Sequence, residues 1–470
     1  MAIFSPLKST APAQAEASRP AYLLSFALLA TAFLIAGGAR DDLVSLLVWR
    51  PLSMVLLALS VALCWQAAWN RGRALLIFAL AVVALPALQL IPLPPAIWTS
   101  LPGRDLLVGV YRDAGMALPW QPLSVAQART WNALFSLAAP LALLVAALSL
   151  HEHWQRRLVI LLIILGFVSG IIGLVQAIGP AKGPLYFYRI TNNGLSVGLF
   201  ANRNHQAMFM AMIYPLLAAN LSFFKGKPDQ LLFRRAITIA GGMLLLPLIL
   251  MTGSRAGLIL AFVGMVAAWW VYKSPIAQAR AADRQADRRV RLVIFAMIAV
   301  LILVVMIVVL RTPAIQRLVG TDPAGELRIS ALPYVFKAIG DFLPFGSGLG
   351  TFVEVYQIYE PDKLISAQYF NHAHNDFVEL LLTTGVPGVL LMLGAGIFAL
   401  ISLRSLHQNR GVGINDQGFS AQILGRAGFS ILTMLALSSA ADYPLRVPSL
   451  MLLGIMAAAW CAAAYRSAKK

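Results

Sequence analysis

The sequence predicts an all-α, polytopic membrane protein with about 12 transmembrane helices, and three observations lead to this fold class. The 470 residues are 59% hydrophobic and only 12% charged, whereas charged residues make up about 25% of an ordinary soluble domain. Apolar runs of about 17 to 25 residues recur from end to end, and each can cross roughly 30 Å of hydrocarbon as a helix. The segments between these runs alternate between short basic stretches and longer stretches of mixed polarity.

Twelve apolar runs define the expected spans of one integral membrane domain over residues 1–470. The first is read as a transmembrane helix and not as a signal peptide, because no small-residue cleavage site follows it and residues 40–42 lead directly into another span. In chain order the expected spans are 21–37, 51–68, 74–92, 131–150, 158–178, 205–224, 236–252, 256–272, 292–310, 376–403, 425–441 and 447–465.

The formal charge of +18 is explained by membrane topology. With the N-terminus inside, the inner segments carry most of the Lys and Arg residues, as the positive-inside rule requires. This orientation predicts a bacterial inner-membrane protein with both termini in the cytoplasm, surrounded by membrane lipids. A nucleic-acid partner is not expected, because no basic stretch carries the interleaved aromatic residues of a binding surface.

Three outer segments are long enough to contribute to a functional site: residues 93–130, 179–204 and 311–375. The last is expected to form one large periplasmic loop that lies on the membrane as a cap. In the second, Tyr186, Phe187 and Tyr188 fit either stacking on sugar rings or a place at the membrane interface, where Tyr is enriched. A metal site is not expected, because the one adjacent acidic pair outside, Asp41 and Asp42, is more typical of a polar turn than of a complete oxygen ligand set.

The stretch from Asn371 to Glu379 places a polar cluster at the outer end of an apolar helix. His374 lies at the start of that helix and is able to accept a proton from a hydroxyl near neutral pH. Asn375 and Glu379 are four residues apart and share a helix face. Spacing alone leaves an alternative open, namely that these residues only cap the N-terminus of the helix.

The pattern His374-Asn375, nine residues, Gly385, two residues, Gly388 resembles the signature of the O-antigen ligase and O-antigen polymerase superfamily. The resemblance covers roughly residues 195–395. The remaining helices are similar to the family only in their general apolar character. Further similar stretches lie at 200–205, 253–257, 325–328 and 345–350. The family more often has Gly-Arg where Leu327-Arg328 stands.

The resemblance implies an enzyme that acts at the outer face on a glycan linked to undecaprenyl diphosphate, without a cofactor. Three arginines at that face, Arg203, Arg255 and Arg328, are expected to bind the diphosphate, because guanidinium groups bind phosphate oxygens bidentately. Their alternative is a role as interfacial anchors or salt-bridge partners. His374 is then the expected base, oriented by Asn375 and Glu379. Secondary candidates are His205, His372, Asp376 and Arg446, the last in an outer turn over residues 442–446.

Within this family the expected function is that of an O-antigen ligase, which transfers the glycan to a hydroxyl of lipid A-core by an inverting, metal-independent reaction. An O-antigen or exopolysaccharide polymerase is the alternative, and a relative that glycosylates Ser or Thr of proteins is a third possibility. A secondary transporter is the alternative from another class. It fits less well, because transporters place ionisable groups near the bilayer midplane, whereas here they gather at outer helix ends.

Overall fold

The computed structural model describes residues 18–40, 42–224, 228–273, 323–365, 370–408 and 416–468, together with the single residues Glu16 and Ala296. The expected span 292–310 and the first part of the expected loop 311–375 therefore lie outside the described residues, as does Asp41. In the described parts the chain is almost entirely helical, with one two-stranded antiparallel ribbon between β1, Pro92–Leu93, and β2, Gln121–Pro122.

The helices of the described segments follow the expected apolar runs. In chain order they are α1 Arg19–Ile35, α2 Leu46–Gln89, α3 Pro95–Trp98, α4 Asp105–Asp113, α5 Gln127–Ser136, α6 Ala138–Ser149, α7 Glu152–Ile178, α8 Arg203–Ser222, α9 Pro228–Leu250, α10 Arg255–Val271, α11 Pro323–Phe342, α12 Phe352–Tyr359, α13 Asp376–Gln408, α14 Asp416–Ser439 and α15 Pro448–Ala468. Two short 3-10 helices, Asp362–Leu364 and Pro444–Arg446, precede α13 and α15.

Seven helical stretches in the described residues are long and apolar enough to cross a membrane. They are Leu46–Gln89, Gln127–Ser149, Glu152–Ile178, Gln230–Leu250, Asp376–Gln408, Gly418–Ser439 and Pro448–Ala468. Helices α1 and α10 are apolar but shorter. The all-α, multi-pass membrane character is thus confirmed, and the total of twelve spans stays a prediction.

One helix, α2, contains two of the expected spans, 51–68 and 74–92. Its 44 residues are divided at Gly72, where the backbone leaves the helical region with φ −150° and ψ 32°. The side chain of Leu148 packs so closely there that a Cβ on Gly72 would lie 2.5 Å from its Cδ1. A glycine break, rather than a polar loop, therefore separates the two segments.

Helix α8 lies at the centre of the bundle. Nearly all of its residues are buried, including Phe209, Met210 and Ile213, and a helix that is apolar on every side is expected in an interior position. Helices α1, α2, α6, α14 and α15 contribute to the same hydrophobic core. The first residues of α8, Arg203 to His205, are consequently held in a fixed position at one end of the bundle.

The described part of the expected outer loop folds into a helical cap, formed by α11, α12 and the 3-10 helix Asp362–Leu364. The cap has its own hydrophobic cluster, in which Val335, Phe342, Phe352 and Tyr356 are buried. Leu382 of α13 belongs to this cluster, so that the cap is packed onto the helix that follows the His-Asn motif.

The first of the two motif glycines, Gly385, lies where the cap crosses α13. Gly385 interrupts the helix with φ 59° and ψ −148°, a backbone region essentially restricted to glycine. The interruption frees the carbonyl groups of Leu382 and Thr383, which accept hydrogen bonds from the backbone N–H groups of Ser347 (3.0 Å) and Gly348 (2.9 Å). Gly385 thus allows the cap to approach the membrane helix closely.

Replacing Gly385 with Ala should destabilise the protein by about 3 kcal/mol or more, since a positive φ for a non-glycine residue and an overpacked contact each cost about 1–3 kcal/mol. The added Cβ would lie 2.2 Å from the carbonyl oxygen of Pro344. Thermal unfolding of the purified protein measures the change. Gly396→Ala is the matched control, because Gly396 lies in the same helix and a Cβ there meets nothing within 4 Å. An equal Tm for both variants would show that Gly385 is not required for its conformation.

Candidate active site

Three helix N-termini meet at the end of the bundle on which the helical cap lies. Each of them has a side chain that accepts N-cap hydrogen bonds. The side chain of Asn202 accepts a hydrogen bond from the Asn204 N–H (2.8 Å) at the start of α8, and Ser254 caps α10 in the same way through the Gly257 N–H (3.0 Å). Asn375 caps α13 by accepting from the N–H groups of residues 377 and 378. Because helix N-termini carry partial positive charge, this end of the bundle favours anions.

A cavity of about 290 Å³ lies beside the starts of α8 and α10 and brings the three predicted arginines together. Its lining residues are Asn192, Asn202, Arg203, Asn204, Gly253, Arg255, Ala256, Leu260, Arg328, Ser438, Ala441 and Asp442. Arg203 and Arg255 are the first residues of α8 and α10, and Arg328 reaches the cavity from α11 of the cap. The charged side chains in this lining are three arginines and one carboxylate.

The arginines are positioned by backbone carbonyl groups of the neighbouring turns. The Arg203 Nη1 donates to the carbonyl oxygen of Gly253 at 3.0 Å, which ties the start of α8 to the turn before α10. The Arg328 Nη1 lies 3.5 Å from the carbonyl oxygen of Ala441, and its Nε is buried without a hydrogen bond to the described residues. The cap therefore supplies a guanidinium group that retains hydrogen-bonding capacity beside the cavity.

His374 adopts a backbone conformation that is unusual for its residue type. Its φ of 49° makes it the one non-glycine residue with a positive φ in the described segments, and such a conformation persists only where the surroundings hold it. The ring packs against Phe370 and Tyr443, and 12% of the side chain is exposed. The backbone thus directs the imidazole toward the turn that carries residues 442–446.

Asp442 forms the hydrogen bond that orients the imidazole of His374. The distance from His374 Nδ1 to Asp442 Oδ1 is 3.1 Å, and the carboxylate also accepts from the Asn204 amide (2.9 Å) and the Tyr443 N–H (3.1 Å). These bonds fix a carboxylate whose side chain is only 5% exposed. Since Asp442 itself lines the arginine cavity, the histidine is one side chain away from that cavity.

The protonation states of this pair follow from burial and hydrogen bonding. Burial lowers the pKa of His374 below its ordinary value, although the bond with Asp442 acts in the opposite direction. Burial by itself would raise the pKa of Asp442, but the hydrogen bond with His374 and the charge of Arg328 hold it below the usual range. A charged carboxylate beside a neutral imidazole takes its hydrogen bond from Nδ1–H. Nε2 then carries the lone pair that a general base needs.

Asn375 and Glu379, which the sequence suggested as the residues that orient His374, have other hydrogen-bonding partners. Besides capping α13, Asn375 donates from its amide to the carbonyl oxygen of Ala440 at 3.0 Å. Glu379 lies 3.1 Å from Nδ1 of His372 and accepts from the Ala373 N–H at 3.0 Å. Both residues therefore hold the turn on which His374 lies, while Asp442 contacts the ring itself.

Arg446 joins the last outer turn to the start of α13. Its Nε lies 3.5 Å from Asp376 Oδ1 and its Nη2 lies 3.3 Å from Glu379 Oε1, and both carboxylates are almost fully buried. Asp376 also accepts a hydrogen bond from the hydroxyl of Ser439 at 2.9 Å. Three of the secondary candidates, His372, Asp376 and Arg446, are thus parts of one ionic network that supports the site.

Replacing Arg446 with Ala should destabilise the protein by about 3–5 kcal/mol, because the loss of one partner leaves buried carboxylates without compensation. Thermal unfolding of the purified variant is the measurement. Arg40→Ala is the control, because Arg40 pairs with the half-exposed Asp42 and such surface pairs contribute about 0–1 kcal/mol. Equal losses of stability in both variants would contradict a structural role for Arg446.

His205, the remaining secondary candidate, lies on the other side of Asp442 from His374. Its Nε2 is 3.9 Å from Asp442 Oδ2, its side chain is 1% exposed, and neither ring nitrogen has a hydrogen bond to a described residue. The ring packs edge-on against Tyr443. His205 therefore lies behind the carboxylate and does not line the cavity.

The aromatic residues of the second outer segment divide by burial. The hydroxyl of Tyr188 accepts from the Gly37 N–H at 2.6 Å, and that of Tyr186 donates to the carbonyl oxygen of Gln176 at 3.0 Å. Phe187 is 49% exposed. The two tyrosines thus connect the segment to the bundle.

Asp42 pairs with Arg40 and Arg189. In the described parts of the chain, no three His, Cys, Asp or Glu side chains are arranged to hold a metal.

Asp442 is the site residue that sequence reasoning did not select. In the sequence, the turn over residues 442–446 supplied only Arg446 as a secondary candidate. The partners Asp442 and His374 are 68 residues apart, and no local spacing connects them. The available signal was an acidic residue in an outer turn of a chain whose acidic residues are few.

Comparison with known proteins finds one family whose model matches part of the chain. Residues 240–393 match the family model described as O-antigen ligase. The matched range includes Arg255, Arg328 and His374, whereas Arg203 and Asp442 lie outside it. No curated protein sequence matches the chain significantly.

The family is one of membrane glycosyltransferase-like enzymes that act on lipid-linked glycans. Together with the apolar helices, the match indicates a multi-pass membrane protein. Over residues 240–393 the chain is therefore similar to the O-antigen ligase family.

Proposed function

We propose that the protein is an O-antigen ligase-like glycosyltransferase, which moves a glycan from undecaprenyl diphosphate to a hydroxyl of lipid A-core. The observation that carries the proposal is the His374–Asp442 pair beside a cavity lined by Arg203, Arg255 and Arg328. A base with an oriented lone pair and a cationic pocket are what transfer from a diphosphate to a hydroxyl requires.

The reaction is a direct displacement at the anomeric carbon. Nε2 of His374 accepts the proton of the acceptor hydroxyl as the new bond from that oxygen to the anomeric carbon forms. The bond from the anomeric carbon to the phosphate oxygen breaks at the same time, and its electron pair leaves with undecaprenyl diphosphate. Asp442 stabilises the imidazolium that results. One displacement inverts the anomeric configuration, and no metal takes part.

The cavity stabilises the leaving group. Negative charge grows on the diphosphate oxygen as the bond to the sugar breaks, and fixed cations nearby stabilise that charge more strongly in the transition state than in the ground state. The start of α8 and the start of α10 add partial positive charge at the same place. Arg328 of the cap completes the cationic lining, which provides a role for the large outer segment.

The proposed orientation puts the cavity at the periplasmic face and both termini in the cytoplasm. Arg71 lies next to the break in α2, and Arg156 and Arg234 lie near the starts of α7 and α9. The positive-inside rule assigns these basic residues to the cytoplasm. Since the donor carries its diphosphate at the interface, a site at helix ends matches its depth. A secondary transporter would instead require these groups near the bilayer midplane.

A polymerase would use the same donor and leaving group, so the acceptor has to be determined in cells. Deletion of the gene followed by separate analysis of lipopolysaccharide and secreted polysaccharide makes the distinction. A ligase predicts a bare core together with accumulated lipid-linked polymer. A core that carries a single repeat unit would establish the polymerase instead, and unchanged surface glycans would contradict both.

The pH profile should show that the base has a lowered pKa. Because His374 acts in its neutral form, kcat/KM falls as the pH drops through its pKa, which burial places below the ordinary value of 6.5. Transfer assays from pH 4.5 to 8 with purified protein measure this acidic limb. In Asp442→Asn the limb should move to still lower pH, since the carboxylate that raises the pKa is gone. A limb above pH 6.5, or one unaffected by Asp442→Asn, would contradict the assignment.

A further inference from the structure

A second cavity lies at the opposite end of helices α8 and α9 and takes no part in the proposed transfer reaction. Its volume is about 630 Å³. Its lining residues come from the end of α8, the residues just after it and the start of α9: Asn220, Leu221, Phe224, Gln230, Phe233, Arg234, Ile237 and Thr238. We call it the α8–α9 groove.

The groove lies at the membrane interface opposite the one that holds the candidate active site. Arg203, at the candidate active site, and Asn220, in the groove, are 17 residues apart on one helix, which corresponds to about 25 Å at a rise of 1.5 Å per residue. This distance approaches the thickness of the hydrocarbon core, roughly 30 Å. A ligand of the groove therefore comes from the leaflet opposite the candidate active site.

The groove carries a charged side chain near its mouth, and its apolar side chains extend about one turn deeper along α9. Positions 230, 233, 234, 237 and 238 recur at helical spacing, so one face of α9 forms the wall. Gln230, Phe233 and Arg234 lie nearest the start of the helix, and Ile237 and Thr238 lie about one turn further in. Phe233 and Ile237 are 65% and 55% exposed, which leaves the groove open toward the surrounding lipid.

Arg234 supplies a fixed cation at the mouth of the groove. Its Cζ lies 4.7 Å from the centre of the Phe224 ring, a distance at which a guanidinium interacts favourably with an aromatic face. Among the described residues that line the groove, none is acidic. The charge is therefore available to an anion that approaches from the membrane interface.

We propose that the α8–α9 groove is a binding site for an anionic phospholipid. The lipid phosphate pairs with the guanidinium of Arg234, and Gln230 and Asn220 offer side-chain amides to the phosphate or the headgroup. One acyl chain lies along Phe233 and Ile237. Basic residues at a membrane interface attract anionic lipids, and the apolar wall one turn deeper fits a molecule whose charge and hydrocarbon are joined in that order.

Native mass spectrometry of the full chain in detergent, titrated with phosphatidylglycerol or phosphatidylcholine, tests the site. The wild-type protein should bind phosphatidylglycerol at least about fivefold more tightly, as one interfacial cation allows. Arg234→Gln should abolish this preference and Arg234→Lys should retain it. Ile237→Trp, at an exposed position that tolerates a larger side chain, should weaken the binding of both lipids by filling the groove.

Arg157→Gln is the matched control. Arg157 lies at the same end of the bundle and stacks on Trp154 at 4.7 Å, but it does not line the groove. Its replacement should leave the lipid preference unchanged. The proposal is overturned if Arg234→Gln binds phosphatidylglycerol like the wild type, if the wild type binds both lipids equally, or if Arg157→Gln loses as much preference as Arg234→Gln.

Discussion

Replacing His374 with Ala should lower the rate of glycan transfer by about 10²–10⁴-fold, the contribution typical of a general base. The imidazole is the one group in the proposed mechanism that accepts the acceptor proton, and its Nδ1 is held by Asp442 at 3.1 Å. Transfer from a lipid-linked oligosaccharide to an acceptor by purified protein is the measurement. The fold should be retained, because the residue that carries this ring lies in a turn outside the helices.

Two further variants identify the cause of that loss. Asp442→Asn should also lower the rate strongly, since an amide does not select the tautomer with the lone pair on Nε2. Because the two residues act as a unit, the double variant should be little worse than His374→Ala alone. His153→Ala is the control, because His153 lies at the opposite end of the bundle, in the first turn of α7. Additive losses, or an active His374→Ala variant, would contradict the role of His374 as base.

Replacing Arg203 or Arg255 with Ala should lower kcat by about 10²–10³-fold, the loss seen when one group that stabilises the transition-state charge is removed. Both guanidinium groups line the cavity from the first turn of a helix. The loss should appear in kcat more than in KM, because the charge on the leaving diphosphate develops only as the bond breaks. Steady-state kinetics with a lipid-linked donor measures both constants.

Conservative variants separate charge from geometry at these positions. Lys at position 203 or 255 should recover only part of the rate, since an ammonium group keeps the charge but not the bidentate geometry. Arg189→Ala is the control at the same end of the bundle, because its side chain is 83% exposed and pairs with Asp42. A loss confined to KM would show that the arginines bind donor without stabilising the transition state.

The sequence predicted the helices well, because apolar runs of membrane length leave few alternatives to a helix. It did not predict how α2 is divided. The sequence predicted two separate spans, 51–68 and 74–92, with a short basic segment between them. In the structure one helix covers both, and it is interrupted at the single residue Gly72. A break that depends on close packing against Leu148 leaves no periodic signal in the sequence.

The candidate site was predictable only in part. The arginines and the His-Asn motif are local patterns, and their convergence follows once the helix starts share one end of the bundle. The pairing of His374 with Asp442 is different, because it depends on the positive φ of His374 and on the turn after α14. Glu379 was expected to orient His374, but the turn at residue 374 directs that ring to Asp442, and Glu379 contacts His372 instead.

The most direct test of the account is a structure of the protein bound to a non-cleavable phosphonate analogue of the lipid-linked donor. The account predicts that the phosphonate-phosphate group lies in the cavity, within hydrogen-bonding distance of Arg203 and Arg255. The anomeric carbon should then face Nε2 of His374, with space between them for an acceptor hydroxyl. An analogue bound with its charged group outside this cavity, or with its sugar turned away from His374, would contradict the account.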